Sequence, residues 1–251
     1  MKNRVVFRKI PVCMILCLTL ISSNVYGASM EGLAEGFCLA SVVSGINGVK
    51  LKVSSIFNEV PAEADLSVDT IWQLPELPTG CETTALTMVL NYHGFSVDKT
   101  TIADDYLVRA TEDYPVGFSG DPYSYDGAGI WPPGLAKTAR KYLADQNTTL
   151  WAHDVSGASL EDLYGYVAAG YPVLLWVTVD YSDPSFTDYA YEYKGKTYDW
   201  FSNEHCVVLS GYSKTNNTVT LQDPEQGEIQ QDADLIAGIM DQIGDLAVCI
   251  Y

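Results

Sequence analysis

The 251-residue chain is short of positive charge. It has 14 Lys and Arg against 32 Asp and Glu, which gives a formal net charge of −18. Nucleic-acid binding and docking on anionic lipid surfaces both need clusters of Lys and Arg, so this composition predicts no nucleic-acid partner and no anionic-membrane partner. The hydrophobic fraction of 47% is too high for a disordered acidic tail. The composition is that of a folded, acidic protein.

Patterns that indicate a metal or a cofactor are also missing. The chain has three His and contains neither a C-x-x-C nor an H-E-x-x-H pattern, the spacings typical of zinc sites. The acidic stretch 180–188 lacks the D-x-D-x-D-G pattern of a calcium-binding loop. The sequence therefore predicts no metal and no cofactor.

The N-terminus has the pattern of a secretory signal peptide. Residues 2–9 carry four basic side chains and no acidic one, residues 10–21 are apolar, and small residues precede Ala28. The apolar run is short for a membrane span, although an uncleaved anchor is the alternative. We therefore expect residues 1–27 to be removed and the protein to be secreted or held at the cell surface, without a membrane span.

Removal of residues 1–27 changes both the charge and the cysteine content. It takes away four basic and no acidic residues, which moves the formal net charge from −18 to −22. So negative a surface favours neutral or basic substrates, and less strongly as salt rises. Four cysteines remain: Cys38, Cys81, Cys206 and Cys249. In an exported protein they could form two disulfides, or one of them could serve as a nucleophile.

Hydrophobic spacing divides the remaining chain into an extension, then helices, then strands. Residues 28–65 are predicted to be a partly flexible extension with one strand at 49–54, and residues 66–251 to be a single domain. Helices are predicted at 80–93, 99–108, 133–145, 160–169 and 234–243. Strands are predicted at 171–179, 205–212, 218–223 and 246–251, with an aromatic hairpin at 189–200. Helices followed by an antiparallel-looking sheet indicate an α+β fold.

Cys81 is predicted to lie in the first turn of the helix at 80–93. Thr79 and Glu82 have the spacing of a capping box there, as Ser159 and Asp162 do for a later helix. The positive end of a helix dipole favours a thiolate, so this position suits a nucleophile. The alternative is a cysteine that only packs in an apolar helix.

A thiol nucleophile also needs a base, a group that orients the base, and a donor to the oxyanion. His205 begins an apolar strand, and a turn near 214–216 would place Asp223 beside it on the next strand. Asp223 is then predicted to accept the imidazole N–H and to fix its tautomer. Gln73, eight residues before Cys81, is predicted to turn its amide toward the oxyanion. Each residue has an ordinary structural alternative, and the combination favours catalysis.

The residues around these candidates resemble a known family. The segment 77–94, LPTGCETTALTMVLNYHG, resembles the nucleophile helix of stand-alone relatives of bacteriocin-processing cysteine peptidases, which belong to the papain-like superfamily. Residues 170–173 are similar to that family's helix-to-strand junction, residues 205–212 to its histidine strand, and residues 223–227 to its aspartate turn. Gln73 matches its oxyanion glutamine.

The resemblance covers about residues 65–251 and implies a papain-like α+β fold, with a nucleophile helix packed on an antiparallel sheet. It implies Cys81 as nucleophile, His205 as general base and acid, and Asp223 as the residue that orients His205. Glu82 stands where many members have glycine. Its carboxylate opposes formation of a thiolate one residue away.

These observations predict an exported thiol hydrolase, a peptidase or amidase that acts on a peptide or protein substrate. One alternative is a binding module at the cell surface with an inactive triad, which the aromatic hairpin at 189–200 suggests. Others are an acyltransferase with the same triad and a structural Cys81 held in a disulfide. The loop 117–131 either faces the substrate or is plain surface.

Overall fold

The computed structural model describes residues 60–110 and 114–251, so the predicted signal peptide and the strand predicted at 49–54 lie outside the described residues. The longer helices of the described part are α1 Cys81–Tyr92, α2 Pro132–Asp145, α3 Leu160–Ala168 and α4 Ala233–Ile243. Its strands are β1 Glu63–Asp65, β2 Ala152–Asp154, β3 Val173–Thr178, β4 Phe186–Tyr193, β5 Lys196–Phe201, β6 Glu204–Ser213, β7 Thr218–Asp223, β8 Gly227–Asp232 and β9 Ala247–Ile250. No helix in these ranges is both long and apolar enough to cross a bilayer.

Seven strands form one antiparallel sheet in the order β2-β9-β3-β6-β7-β8, with β1 paired to β6. β1 lies at the end of the segment predicted to be an extension, so the sheet begins before residue 66. Strands β4 and β5 form a separate two-stranded hairpin. Helices and an antiparallel sheet together make the α+β fold that the sequence predicts.

The central strand β6 contributes side chains to a hydrophobic core on each face of the sheet, because successive side chains of a strand point to opposite faces. Cys206 and Val208 belong to the core that contains α1 and α2. Val207 and Leu209 belong to the core that contains α3 and α4. Helices therefore cover both faces of the sheet.

Helix α1 is embedded in the first of these cores. Residues 81–90 are all buried, although several of them are threonines. The hydroxyl of Thr84 donates to the Gly80 carbonyl at 2.8 Å, and that of Thr87 donates to the Thr83 carbonyl at 2.7 Å. These bonds satisfy the hydroxyls inside the helix, so the polar side chains can be buried. Packing on all sides fixes the position of Cys81 at the start of α1.

One of the two predicted capping boxes is confirmed. At α3 the Asp162 N–H donates to Ser159 Oγ at 3.2 Å, and the Ser159 N–H donates to Asp162 Oδ2 at 3.1 Å. The capping box predicted at Thr79 and Glu82 is wrong, because α1 begins without a side-chain cap. The Thr79 hydroxyl donates to the Ser124 carbonyl at 2.9 Å, and the Glu82 carboxylate accepts the Ile130 N–H at 2.6 Å. Both side chains bind the loop 117–131 instead.

Besides β1, two strands and one helix differ from the sequence prediction. Strand β8 was not predicted because Ile229 is its only large apolar residue, and β2 was not predicted because it has three residues. The helix predicted at 99–108 is α-helical only at Lys99–Thr101 and continues as a π-helix at Ile102–Tyr106. Short polar strands and changes of helix type leave little hydrophobic periodicity in a sequence.

Candidate active site

Strands β6 and β7 bring a buried histidine and a buried aspartate together. His205 Nε2 lies 3.0 Å from Asp223 Oδ1, and the two side chains are 2% and 0% exposed. The pairing of Val208 with Gln222 places the start of β6 beside the end of β7. This is the juxtaposition that the length of the turn between the two strands predicts.

Asp223 is held in place by several donors. Its Oδ1 also accepts the backbone N–H groups of Glu225 and Gln226 at 2.7 and 3.1 Å. Its Oδ2 accepts the Tyr181 hydroxyl at 2.6 Å. Burial opposes ionisation of Asp223, but the hydrogen bonds from His205 and Tyr181 outweigh it and lower the pKa of the carboxyl. The carboxylate therefore engages Nε2 of His205 and leaves Nδ1 free to exchange a proton. The sequence carries no signal for Tyr181.

Cys81 and His205 line one cavity of about 230 Å³. Cys81 enters it from the first turn of α1, where backbone N–H groups lack intrahelical partners. The cavity is also lined by Gln73, Pro78, Thr79, Tyr125, Gly127, Ala128, Gly129, Val179, Trp200, Ser202, Glu204 and Glu225. Residues 125 and 127–129 belong to the loop 117–131, so part of that loop is cavity wall. Three of the four predicted site residues, Gln73, Cys81 and His205, line this cavity, and Asp223 does not line it but contacts His205.

The Cys81 thiol is hydrogen-bonded to Glu82, its neighbour in sequence. Its Sγ donates to Glu82 Oε2 at 3.3 Å, and within the described ranges no hydrogen bond joins it to His205. Burial raises the pKa of the Cys81 thiol well above its ordinary value, and the charges of Glu82 and Glu204 raise it further. Cys81, Cys206 and Cys249 are free thiols in the described part of the chain, and the fourth cysteine expected in the mature chain, Cys38, lies outside the described residues.

Glu82, which is buried, and Glu204, which is half-buried, form an acidic pair beside the thiol. One carboxylate oxygen of each and the Cys81 Sγ all lie within 4.8 Å of one another, a spacing at which a thiolate and two carboxylates could hold a divalent ion such as Zn²⁺. Burial raises the pKa of Glu82 to about 7. Burial, together with the Glu82 charge, raises the pKa of Glu204 well above its ordinary value. The sequence analysis assigned no role to Glu204, although it directly precedes His205.

The raised pKa of Glu82 predicts a pH-dependent stability. A carboxyl whose pKa rises from 4.5 to about 7 on folding binds its proton more tightly in the folded state. Its contribution to stability is therefore full below pH 4.5 and is lost as pH rises toward 7. Glu82→Gln should flatten the fall in the free energy of unfolding between pH 5 and pH 8, measured by urea titration. The control, Glu161→Gln at the exposed pair with Lys214, should keep the wild-type slope. An unchanged slope in Glu82→Gln would contradict the assignment.

Gln73 lies in the cavity wall but has no free donor there. Its Nε2 donates to the Pro78 carbonyl at 3.1 Å and to Glu225 Oε1 at 2.8 Å, which uses both amide hydrogens. The predicted contact with an oxyanion therefore requires Gln73 to release Glu225. The position of Gln73 suits that role, and the role itself stays a prediction.

Three comparisons place this geometry among known proteins. Residues 65–241 match the Peptidase_C39 like family. The uncharacterised protein YvpB of Bacillus subtilis is 30% identical over 157 residues, which are 60% of each chain, so the match spans less than two thirds of that relative. The crystal structure of a protein described as a C39-like peptidase from Bacillus anthracis is 31% identical, with a TM-score of 0.64 over 75% of this chain and 97% of the other.

A more distant structure, a double glycine motif protease from an AMS/PCAT transporter in complex with the leader peptide, has 17% identity and a TM-score of 0.40 over 75% of this chain and 92% of the other. The predicted α+β fold, with the helix that carries Cys81 packed on an antiparallel sheet, is confirmed. The described domain is a cysteine-peptidase-like domain, and the chain belongs to the Peptidase_C39 like family.

Proposed function

We propose that this protein is an exported cysteine peptidase that cleaves a peptide or protein substrate through Cys81, His205 and Asp223. The observation that carries the proposal is the buried His205–Asp223 pair, with 3.0 Å between Nε2 and Oδ1, in the wall of the cavity that Cys81 also lines. A buried, oriented imidazole that shares a cavity with a thiol at a helix N-terminus is the arrangement from which a sulfur nucleophile can be activated.

In the acylation step, the Cys81 S–H gives its proton to Nδ1 of His205. The sulfur attacks the scissile carbonyl carbon, and the carbonyl π electrons move to the oxygen. N–H groups of the first turn of α1 stabilise that oxyanion, and Gln73 joins them once it leaves Glu225. When the intermediate collapses, the C–N bond breaks and the imidazolium protonates the leaving amine. The acyl group is then a thioester on Cys81.

In the deacylation step, His205 takes a proton from water, and the hydroxide oxygen attacks the thioester carbon. The C–S bond breaks, the carboxylic acid leaves, and Cys81 regains its proton from the imidazolium. Asp223 keeps Nε2 of His205 occupied in both steps, so a single imidazole nitrogen exchanges protons. No metal or cofactor enters this scheme.

Export is part of the proposal because the N-terminal segment has the signal-peptide pattern. We expect the mature chain to begin at Ala28, and N-terminal sequencing of the protein recovered from culture medium or the cell surface checks this. Recovery only from the cytoplasm, with residue 1 present, would contradict it.

Covalent labelling tests the nucleophile. In the chain that begins at Ala28 and carries Cys38→Ala, a fluorescent iodoacetamide at pH 7 should label Cys81, and adding Cys81→Ala should abolish that labelling because the reactive sulfur is gone. Cys249→Ala is the matched control, since it removes a buried free thiol from β9, and it should label as the wild type does. Labelling of Cys81→Ala at the wild-type rate would overturn the assignment.

A second candidate is a binding module that keeps the fold without the chemistry. The hydrogen bond from Cys81 to Glu82 favours it, because burial and the acidic pair hold the sulfur as a thiol. In that case the folded wild type would not react with the probe at pH 7, whereas Glu82→Gln would, since it removes the adjacent charge. For an active peptidase both proteins react, and Glu82→Gln reacts faster at neutral pH, because the Glu82 charge no longer helps to raise the pKa of the thiol.

A further inference from the structure

A second cavity, of about 600 Å³, lies between helix α2 and the β4–β5 hairpin. We call it the basic cavity. Its lining residues are Val116, Pro133, Ala136, Lys137, Arg140, Asp154, Tyr193, Lys194, Lys196 and Tyr198. Four of these side chains are cationic, whereas Asp154 is the one acidic residue among them. No sequence motif pointed to this site.

This concentration of positive charge is unusual for the chain. The described ranges contain eight Lys and Arg, so half of them line one cavity of a protein with a formal charge of −18. The Lys–carboxylate ion pairs of the described ranges use Lys99 and Lys214, which lie elsewhere. Among the described residues no carboxylate forms an ion pair with the four cations of the basic cavity, although Asp154 lines it and Asp245 lies near Lys196, so the cations outnumber the nearby carboxylates and focus a positive potential in a concave surface.

Aromatic rings hold several of these cations in place. The Lys194 and Lys196 ammonium groups lie 5.1 and 5.2 Å from the ring centroids of Tyr193 and Tyr198. The Arg140 Nε donates to the Ala152 carbonyl at 2.8 Å. Lys196 Nζ donates to the Gly244 carbonyl at 3.2 Å, and it also faces the Asp245 carboxyl. The cations are therefore oriented rather than freely mobile.

Lys194 occupies a backbone position that favours other residues. It begins the hairpin turn with φ of 51°, followed by Gly195 with φ of 79°. Asn, Asp or Gly fit this left-handed position better than Lys does, so the local preference of the backbone does not explain a lysine here. A cation at the rim of the basic cavity does explain it.

Strand β5 runs from the basic cavity to the cavity that Cys81 and His205 line, which we call the catalytic cavity. Lys196 and Tyr198 line the former, and Trp200 lines the latter. At a rise of about 3.3 Å per residue, Lys196 and Trp200 are about 13 Å apart along the strand. When the scissile bond of an extended peptide lies at Cys81, the peptide residues that reach the basic cavity are four or more positions from that bond.

We infer that the basic cavity binds an acidic segment of the substrate, four or more residues from the scissile bond. That the bound segment belongs to a substrate rests on the proposed function, whereas the binding of an acidic segment rests on the charge distribution. The inference also implies that the two cavities select different parts of the substrate by charge. Glu225 in the catalytic cavity favours neutral or basic residues near the scissile bond, whereas the basic cavity selects acidic residues further away.

Binding can be measured without turnover. The probe is a fluorescein-labelled hexaglutamate peptide, and the protein is full-length Cys81→Ala, followed by fluorescence anisotropy. We expect saturable binding that weakens as salt rises. Adding Lys194→Gln and Lys196→Gln should raise the Kd at least tenfold. The matched control adds Lys141→Gln and Lys214→Gln, which remove the same charge outside the cavity, and it should stay within twofold.

Three results would overturn the inference: no saturable binding, an equal loss of affinity in the control, or displacement by inorganic tripolyphosphate as effective as by unlabelled hexaglutamate. The last would make the cavity a general anion site.

A cleavage experiment tests substrate selection. The wild-type protein should cleave a peptide library with a tetraglutamate extension faster than the same library without it. Lys194→Gln with Lys196→Gln should remove that preference. Loss of iodoacetamide labelling with retained hexaglutamate binding would instead reject the proposed function alone.

Discussion

Replacement of His205 by glutamine should slow alkylation of Cys81 at pH 7 on the order of a hundredfold, because the thiol then loses the base that takes its proton. The glutamine amide can still donate to Asp223 Oδ1, which His205 Nε2 approaches to 3.0 Å, so the buried carboxylate keeps a partner. The expected loss is therefore one of reactivity, and the fold should persist by circular dichroism.

The size of the effect follows from the surroundings of the thiol. Burial and the Glu82 and Glu204 charges keep the Cys81 pKa high, so the fraction of spontaneous thiolate at pH 7 is small. In the proposed mechanism, His205 supplies the proton acceptor that offsets these effects. His153→Gln is the matched control: its ring stacks on Tyr251 at 4.2 Å, outside the catalytic cavity, and the variant should react as the wild type does. Equal rates for His205→Gln and the wild type would remove His205 from the mechanism.

The second large effect is expected at Gly129. A Cβ at this position would lie 2.6 Å from Glu82 Oε1 and 2.9 Å from Glu204 Oε2, and the backbone there has φ of +95°. Gly129→Ala should therefore force the acidic pair apart while it strains the backbone. We expect a loss of about 3 kcal/mol or more in the free energy of unfolding, measured by urea titration at pH 7.

The matched control for Gly129→Ala is Gly157→Ala. Gly157 has φ of +92°, but no atom lies within 4 Å of the position of its missing Cβ. That variant should lose only the backbone term, about 1–2 kcal/mol. If the free energy of unfolding falls equally in the two variants, the close approach of Gly129 to the acidic pair does not contribute to the effect.

The sequence predicts most accurately what depends on short stretches of chain. Helix α1 follows from its apolar spacing and the glycine after it, although its predicted cap does not. The meeting of His205 and Asp223 follows from the length of the turn between two strands, because they are 18 residues apart. Their roles, together with those of Cys81 and Gln73, remain predictions for the labelling experiments.

The sequence did not predict the contacts between segments that are far apart along the chain. Glu82 and Ile130 are 48 residues apart, and Gln73 and Glu225 are 152 apart. Each of these contacts depends on how loops pack on the finished domain, and neither produces a periodic pattern along the chain. The basic cavity was missed for the same reason, since its cations come from a helix and a hairpin that the sequence separates.

The short separation of His205 and Asp223 has a consequence for the order of folding. A hairpin is a local structure and closes in microseconds in model systems, so the imidazole and its carboxylate can meet early. Helix α1 begins more than 120 residues before His205, and such non-local contacts are slow to form. If the proposed mechanism holds, recovery of peptidase activity during refolding is therefore a readout of the last long-range docking of the domain. A fragment that contains only β6 and β7 would include His205 and Asp223, yet it would lack Cys81.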